Sequence, residues 1–266
     1  MLVSVIVPAY KQEKTIVQDI KNINDAMSKT RFDYEIIVVV DGFVDKTYEL
    51  AKTLESPIIK VYGNERNRGK GYTVKYGMAR SKGELVAFID AGMEINPNGI
   101  SMILEHMIWY NADIIVGSKR HPASNVNYPF ARKVFSNFYY ILVRILFRIK
   151  VRDTQVGLKV YKRNVLEAVL PRLVVKRFAF DIELLAVAKY LGYRRIYEAP
   201  VTLNLVSGSM KIIDEKFFRF VKAFLIDTIA VFYRMYFLKY YHDDSKRSWV
   251  YDKELDMKIN TGQMDK

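Results

Sequence analysis

Two acidic residues, Asp90 and Glu94, follow directly on the apolar run Leu85 to Ile89. Carboxylates at the end of a buried strand can hold a hard divalent cation, which prefers oxygen ligands. A cation there neutralises a diphosphate leaving group. The same residues also suit a plain turn, with a solvated Asp and a helix-capping Glu. A second candidate, Asp41, follows the apolar stretch that ends at Val40. It can accept hydrogen bonds from a base or ribose, or simply make an Asp-Gly turn with Gly42. The third is Asn67-Arg-Gly-Lys-Gly71. Its glycines permit close backbone approach, and Lys70 offers a cation to a diphosphate. It is not a P-loop, because the spacing and the hydroxyl residue are absent.

Such residues act together only if a scaffold brings them to one place. Short apolar runs, Val3 to Val7, Glu35 to Val40, Ile58 to Tyr62, Leu85 to Ile89 and Asp113 to Gly117, read as strands. Helical patterns lie between them at Glu13 to Ser28, Asp45 to Leu54, Gly71 to Arg80 and Asn98 to Tyr110. Strands apolar throughout, alternating with helices, predict an α/β fold whose mostly parallel sheet is covered on both faces. Ligands of such sheets bind beyond the carboxyl ends of the strands. The polar residues expected there are Tyr10, Gln12, Asp41, Asn67 to Gly71, Asp90 to Glu94 and Ser118 to Arg120.

A formal net charge of +13 predicts anionic partners. The chain has no run of five basic residues and no recognisable nucleic-acid motif, so nucleic acid is not the expected partner. The absence of cysteine excludes disulfides, thiolate nucleophiles and zinc–thiolate sites. Met1 to Tyr10 lacks a basic n-region and reads as a first strand, not a leader. No stretch of 18 uncharged apolar residues occurs, so no bilayer-spanning helix is expected. Two stretches, Pro129 to Ile149 and Ile212 to Tyr241, are aromatic and basic together. They suit helices lying in a membrane interface with snorkelling cations, or core and oligomer helices. The polar segment after His242 is expected to be mobile.

Taken in order, the motifs resemble the family-two inverting glycosyltransferases of the GT-A fold. The resemblance is strongest to the dolichyl-phosphate glucosyltransferase and dolichyl-phosphate mannose synthase branch. Val3-Ser-Val-Ile-Val-Pro-Ala-Tyr10 is similar to that family's first strand and nucleotide loop, and Val38-Val-Val-Asp-Gly42 to its second strand. Asn67 to Val74 resembles its glycine–lysine turn, and Phe88-Ile-Asp90 leads into its metal motif. Ala112 to Arg120, Asp153 to Val160, Phe178 to Leu185 and Gly192 to Val201 continue the pattern, so that residues 2 to 211 are covered. Two departures stand out. Gly92 occupies the second acid of the usual Asp-x-Asp, which leaves Asp90 and Glu94 to share the metal. Asn204 to Lys211 keeps Gly208 and Lys211 but lacks the Arg that mannose synthases carry before this turn, which favours the glucosyltransferase side.

The resemblance implies a catalytic domain over residues 1–211, an interfacial helical segment over 212–241 and a mobile tail over 242–266. It implies a nucleoside-diphosphate sugar donor, UDP-glucose before GDP-mannose, framed by Pro8, Tyr10, Gln12, Asp41, Lys70, Asp90 and Ala91, with Mg²⁺ or Mn²⁺ on Asp90 and Glu94. A polyprenyl (dolichyl) phosphate is the implied acceptor, at an anionic membrane surface on the cytoplasmic face, with peripheral attachment. Lys119, Arg120, Arg132 and Lys211 are the cations expected at the two phosphates, and Asp153 and Gln155 the groups expected to position acceptor or sugar hydroxyls. Asp181 and Glu183 sit about 200° apart on a helix, so one faces the site, here Asp181, and the other supports structure. All donor residues precede residue 121, so deletion of 212–266 is expected to spare nucleotide binding. The competing readings are a non-catalytic nucleotide-binding or membrane scaffold, which Gly92 favours, and a polysaccharide-elongating enzyme, whose Gln-x-x-Arg-Trp motif is absent.

Overall fold

The computed structural model describes residues 1–92, 94–124, 130–203, 215–243 and 248–260, with the side chains of 130–135, 215–218 and 220 outside that set. The chain begins with β1 (Leu2–Ala9), α1 (Ile16–Ser28), β2 (Asp33–Asp41), α2 (Thr47–Lys52), β3 (Ile59–Asn64), α3 (Lys70–Arg80) and β4 (Leu85–Ile89). It continues with α4 (Gly99–Trp109), β5 (Ile114–Ser118), α5 (Phe130–Phe147), β6 (Leu158–Lys162), α6 (Arg163–Val169) and a 3-10 turn at Leu170–Arg172. The last elements are α7 (Phe180–Tyr190), β7 (Ile196–Pro200), α8 (Glu215–Tyr236), β8 (Val250–Asp252) and β9 (Met257–Ile259).

Seven strands form one sheet in the order β3-β2-β1-β4-β6-β5-β7. β1, β2, β3 and β4 run parallel, and β5 runs parallel to β7. Only β6 is reversed, antiparallel to both β4 and β5. Helices cover both faces, which is why Ile36 to Val40 and Val86 to Ile89 are buried without alternation. The order places the ends of β1, β2 and β4 side by side, with Ala9 opposite Val40 and Ile6 opposite Phe88.

Buried residues on one face of α8, Phe224, Thr228, Val231 and Met235, follow a helical period. The helix meets α5 through Tyr139 against Phe224, 4.7 Å between ring centroids, and through Phe147 against the partly buried Phe232, 6.1 Å. The opposite face of α8 is also apolar, with Ile226, Ile229, Tyr233 and Tyr236 exposed, and α5 likewise exposes Phe138, Ile141 and Ile145. No helix among the described residues is long and apolar enough to cross a membrane.

The segment read from sequence as a mobile tail holds the β8–β9 hairpin. Leu255 is buried, and the Asn260 amide donates to the Pro171 carbonyl at 2.8 Å. A polar composition hid these anchors, because a single buried apolar residue and contacts to distant parts of the chain leave no periodic signal.

Candidate active site

Beyond the ends of β1, β2 and β4 lies a cavity of about 1020 Å³. Pro8, Tyr10, Gln12, Asp41, Lys70, Asp90, Ala91 and Glu94 all stand on its wall, together with Asn67, Arg68 and Gly69. The opposite side is formed by Lys176, Arg177 and Phe178 before α7 and by Arg219, Ala223 and Asp227 on α8.

Asp90 is fixed by the strands on either side of it. Its amide donates to the Gly157 carbonyl at 2.9 Å, and the Ala91 amide to the Pro8 carbonyl at 3.3 Å. A Cβ at Gly157 would lie 2.3 Å from Asp90 Oδ2, so the carboxylate occupies the space that a side chain on β6's approach would fill. The next turn is held from α1, where Asp19 Oδ2 accepts the Gly92 amide at 2.8 Å. Asp19 is fully buried, and burial raises its pKa against these hydrogen bonds. Gly92 has φ +99°, which L side chains rarely adopt. The missing second acid of the Asp-x-Asp pattern is therefore a backbone matter, since the chain here turns through a conformation suited to glycine.

Lys70 heads α3, and its Nζ is 2.7 Å from Asp90 Oδ2 and 3.8 Å from Asp181 Oδ2. Burial works against the ammonium, but the two carboxylates outweigh it and hold Lys70 protonated above the usual lysine range. Asp181 also takes a bond from Lys159 Nζ at 2.6 Å, and the same ammonium donates to the Val156 carbonyl at 2.6 Å. Lys159, the second residue of β6, is fully buried. Burial lowers its pKa, and Asp181 acts in the opposite direction. A continuous chain of charges thus runs Asp90, Lys70, Asp181, Lys159. Sequence reasoning missed Lys159; its only signal was a lysine set between the apolar residues Leu158 and Val160.

Glu183 points elsewhere. It accepts the Val174 amide at 3.1 Å, the Val175 amide at 2.9 Å and the Tyr241 hydroxyl at 2.6 Å. Burial raises its pKa, and these bonds oppose the rise. Glu183 thereby shapes the loop that carries Lys176 and Arg177 to the cavity. Those two cations were also missed, although they immediately precede the Phe178 to Leu185 motif.

Several of the expected residues already have partners within the protein. Asp41 is on the wall, but its Oδ1 accepts the Arg68 amide at 2.7 Å and its Oδ2 the Gly69 amide at 2.9 Å. Its first task is to hold the glycine turn, since a carboxylate attracts the unpaired N–H groups of a tight turn. Arg120 is not on the wall; its guanidinium donates to the Ser136 carbonyl at 3.0 Å and to Asn137, tying the end of β5 to α5. Lys119, Asp153 and Gln155 also lie off the wall. Lys119 pairs with Glu94 and so reaches its edge, while Asp153 accepts the Lys119 and Gln155 amides, both at 3.2 Å. Burial raises the Asp153 pKa, with Lys119 the main opposing charge. The Arg132 side chain and Lys211 lie outside the described residues.

Chemically, the cavity presents four carboxylates, Asp41, Asp90, Glu94 and Asp227, and several cations at the open end of a sheet. Among the described residues no cluster of three or more His, Asp or Glu side chains could hold a metal unaided. Asp90 and Glu94 both line the cavity, each paired with a lysine, Lys70 and Lys119, and a divalent cation such as Mg²⁺ commonly takes one or two carboxylates and completes its shell with substrate phosphates and water.

Comparison with known proteins agrees with this geometry. Residues 4–170 match the model of the family described as "Glycosyl transferase family 2". A relative from Dictyostelium discoideum, "Dolichyl-phosphate beta-glucosyltransferase", is 31% identical over 221 residues, covering 77% of this chain and 67% of its own. Mannosyl-3-phosphoglycerate synthase from Rubrobacter xylanophilus superposes with a TM-score of 0.68 at 15% identity, over 88% of this chain and 74% of that one. Glucosyl-3-phosphoglycerate synthase from Mycobacterium tuberculosis, crystallised with Mn²⁺, UDP and its product, gives 0.65 at 18% identity, over 86% and 79%. At these identities the two structures bear on the fold alone.

Proposed function

The chain belongs to glycosyl transferase family 2, and on that premise we propose that it transfers glucose from UDP-glucose to a polyprenyl phosphate of the dolichyl type, with inversion. One observation carries the reading. Asp41, the glycine turn, Lys70, Asp90 and Glu94 line one cavity at the carboxyl ends of the strands, the edge at which α/β sheets bind nucleotides. The curated relative's name supports glucose as the sugar and dolichyl phosphate as the acceptor.

In this reading a phosphate oxygen of the acceptor attacks the anomeric carbon. The bond from that carbon to the donor's diphosphate breaks, and nucleoside diphosphate leaves. The acceptor phosphate is already ionised near neutral pH, so no strong general base is required. Orientation and charge neutralisation are the main tasks. Mg²⁺ or Mn²⁺ held by Asp90 and Glu94 would neutralise the leaving diphosphate. Asp41 keeps the 67–69 turn closed beside the base. Lys70, already charged, supplies a cation at the diphosphate, and Asp181 with Lys159 keeps it aimed there. Lys176, Arg177 and Arg219 offer positive charge on the side from which the acceptor arrives. The outward apolar residues of α5 and α8 support peripheral attachment at a membrane surface, where a lipid phosphate is presented.

The test is a panel of radiolabelled nucleotide-sugars incubated with the protein, polyprenyl phosphate and Mg²⁺ or Mn²⁺, followed by mild acid release of the lipid-linked sugar. UDP-glucose should give labelled, acid-labile lipid. Label from GDP-mannose alone would replace the donor assignment, and no label from any donor would favour a non-catalytic binding module.

A further inference from the structure

The carboxyl-terminal hairpin reaches back to the nucleotide end of the cavity. Its strands pair Val250 with Ile259 and Asp252 with Met257. Between them Asp252 Oδ1 accepts the amides of Glu254 at 2.9 Å and Leu255 at 3.0 Å, a local turn that fixes the direction of residue 254. The Glu254 carbonyl accepts Arg80 Nη2 at 2.6 Å, and that guanidinium sits 3.5 Å from the centre of the Tyr76 ring. The Glu254 carboxylate then takes two donors from the start of α3. Tyr72 donates its hydroxyl to Oε2 at 2.7 Å, and Arg68 donates Nη1 to the same oxygen. The Arg68 guanidinium lies 3.7 Å from the Tyr72 ring centre.

Arg68 is therefore gripped at both ends. Its backbone is held by Asp41 from β2, and its side chain by Glu254 from the far end of the chain. The gripped turn runs directly into Lys70. We propose that Glu254 is a positioning residue for the donor: by holding Arg68 and Tyr72 it keeps the 67–70 turn in the shape that receives a nucleoside diphosphate. The carboxyl-terminal hairpin is then a working part of the donor pocket. This rests on the nucleotide-binding reading above. It also revises what truncation does, because deletion of 212–266 removes Glu254 and should cost nucleotide affinity.

Magnitudes say where to look. The Glu254 side chain is 58% exposed, and exposed ion pairs add little to global stability. Preorganising a binding turn, by contrast, is felt directly in affinity. In the full-length protein, Glu254→Gln and Arg68→Ala should each raise the Kd for UDP, measured by calorimetry, by about fivefold. The KM for UDP-glucose should rise in parallel, kcat should stay within about twofold, and the melting temperature should hardly move. The Arg68→Ala/Glu254→Gln pair should raise Kd by less than the product of the two single effects, since the Arg68–Glu254 contact is lost in both and only the Tyr72 bond is left to weaken. Failure of the wild-type protein to bind UDP would sink the nucleotide-binding reading itself. Binding of UDP by wild type and Glu254→Gln with equal Kd would overturn the positioning role. A lowered melting temperature with unchanged Kd would overturn it as well, leaving the hairpin a purely structural part.

Discussion

Lys70 and Asp90 form an ion pair of 2.7 Å on the cavity wall, and Asp181 lies 3.8 Å behind the same ammonium. The carboxylate that would hold a metal is thus matched with an internal cation. Asp90→Ala should reduce transfer by about 10²–10³-fold, the scale of losing one electrostatic stabiliser of developing charge. The variant should stay folded, because Lys70 keeps Asp181. Chelation with EDTA should have the same effect on the wild type, and Mn²⁺-dependent strengthening of UDP binding should vanish in Asp90→Ala. Full activity in excess EDTA would remove the metal from the mechanism while leaving the fold untouched.

Gly92 yields a prediction opposite to simple motif repair. Writing Asp at this position would recreate the Asp-x-Asp pattern, but the backbone has φ +99°. An L side chain in such a conformation costs about 1–2 kcal/mol. Gly92→Asp should lower the urea midpoint accordingly and give no gain in Mn²⁺ affinity. A variant of unchanged stability that binds Mn²⁺ more tightly would mean that the turn relaxes freely.

Lys75 predicts a pH dependence. Its Nζ is buried against the Leu173 carbonyl at 3.1 Å, and burial pulls its pKa down to about 8. In the unfolded chain the same group titrates near about 10.4. Between these values the unfolded state holds a proton that the folded state has released, so this contribution to stability rises with pH across the window. The full span corresponds to about 3 kcal/mol. Lys75→Met removes the term, so its advantage over wild type should be greatest at pH 8 and below and shrink toward pH 10. Urea denaturation curves of the two proteins at pH 7, 8, 9 and 10 measure the difference. Parallel stability profiles would mean that Lys75 stays charged in the folded protein.

The outward stripes of α5 and α8 carry the membrane prediction. Ile145 is 70% exposed and Ile229 53%. Ile145→Glu and Ile229→Glu should each weaken sedimentation with anionic liposomes several-fold, yet change stability by no more than about 0.5 kcal/mol, as surface substitutions usually do. UDP affinity should be unaffected. Rising salt should weaken wild-type binding without abolishing it, because the apolar part is indifferent to screening. Unchanged liposome binding by both variants would assign the stripes to a protein contact instead.

The cavity wall at the ends of β1, β2 and β4 was legible in the sequence for a simple reason. Strands covered on both faces are continuous apolar runs, so the residues ending them, Asp41 and Asp90, announce their position at the sheet edge. The glycine turn was legible from its composition. Direction was not. Leu158 to Val160 stood out only as the end of the Asp153 to Val160 motif, so the reversed strand between β4 and β5 left no trace. Side-chain aim was equally hidden. Arg120 looks like a phosphate ligand by type, yet a nearby helix offered its guanidinium carbonyl and amide partners. Lys159 passed for one residue of a motif, when it is the buried counter-charge of Asp181. The hairpin around Glu254 was invisible because its anchoring depends on Arg68, Tyr72 and Arg80, far away in the chain.

The reversed strand also bears on how the chain is made. β4 sits between β1 and β6, and its register sets Leu85 opposite Lys162. On the ribosome, β1 to β4 are complete well before β6 emerges, and at about 5–20 residues per second the wait lasts some seconds. During that interval Leu-Val-Ala-Phe-Ile89 presents a bare, wholly apolar edge, the kind of surface that recruits strands from other chains. Nascent fragments ending before residue 158 should therefore be the aggregation-prone species, and synthesis of β6 is the step that closes the edge.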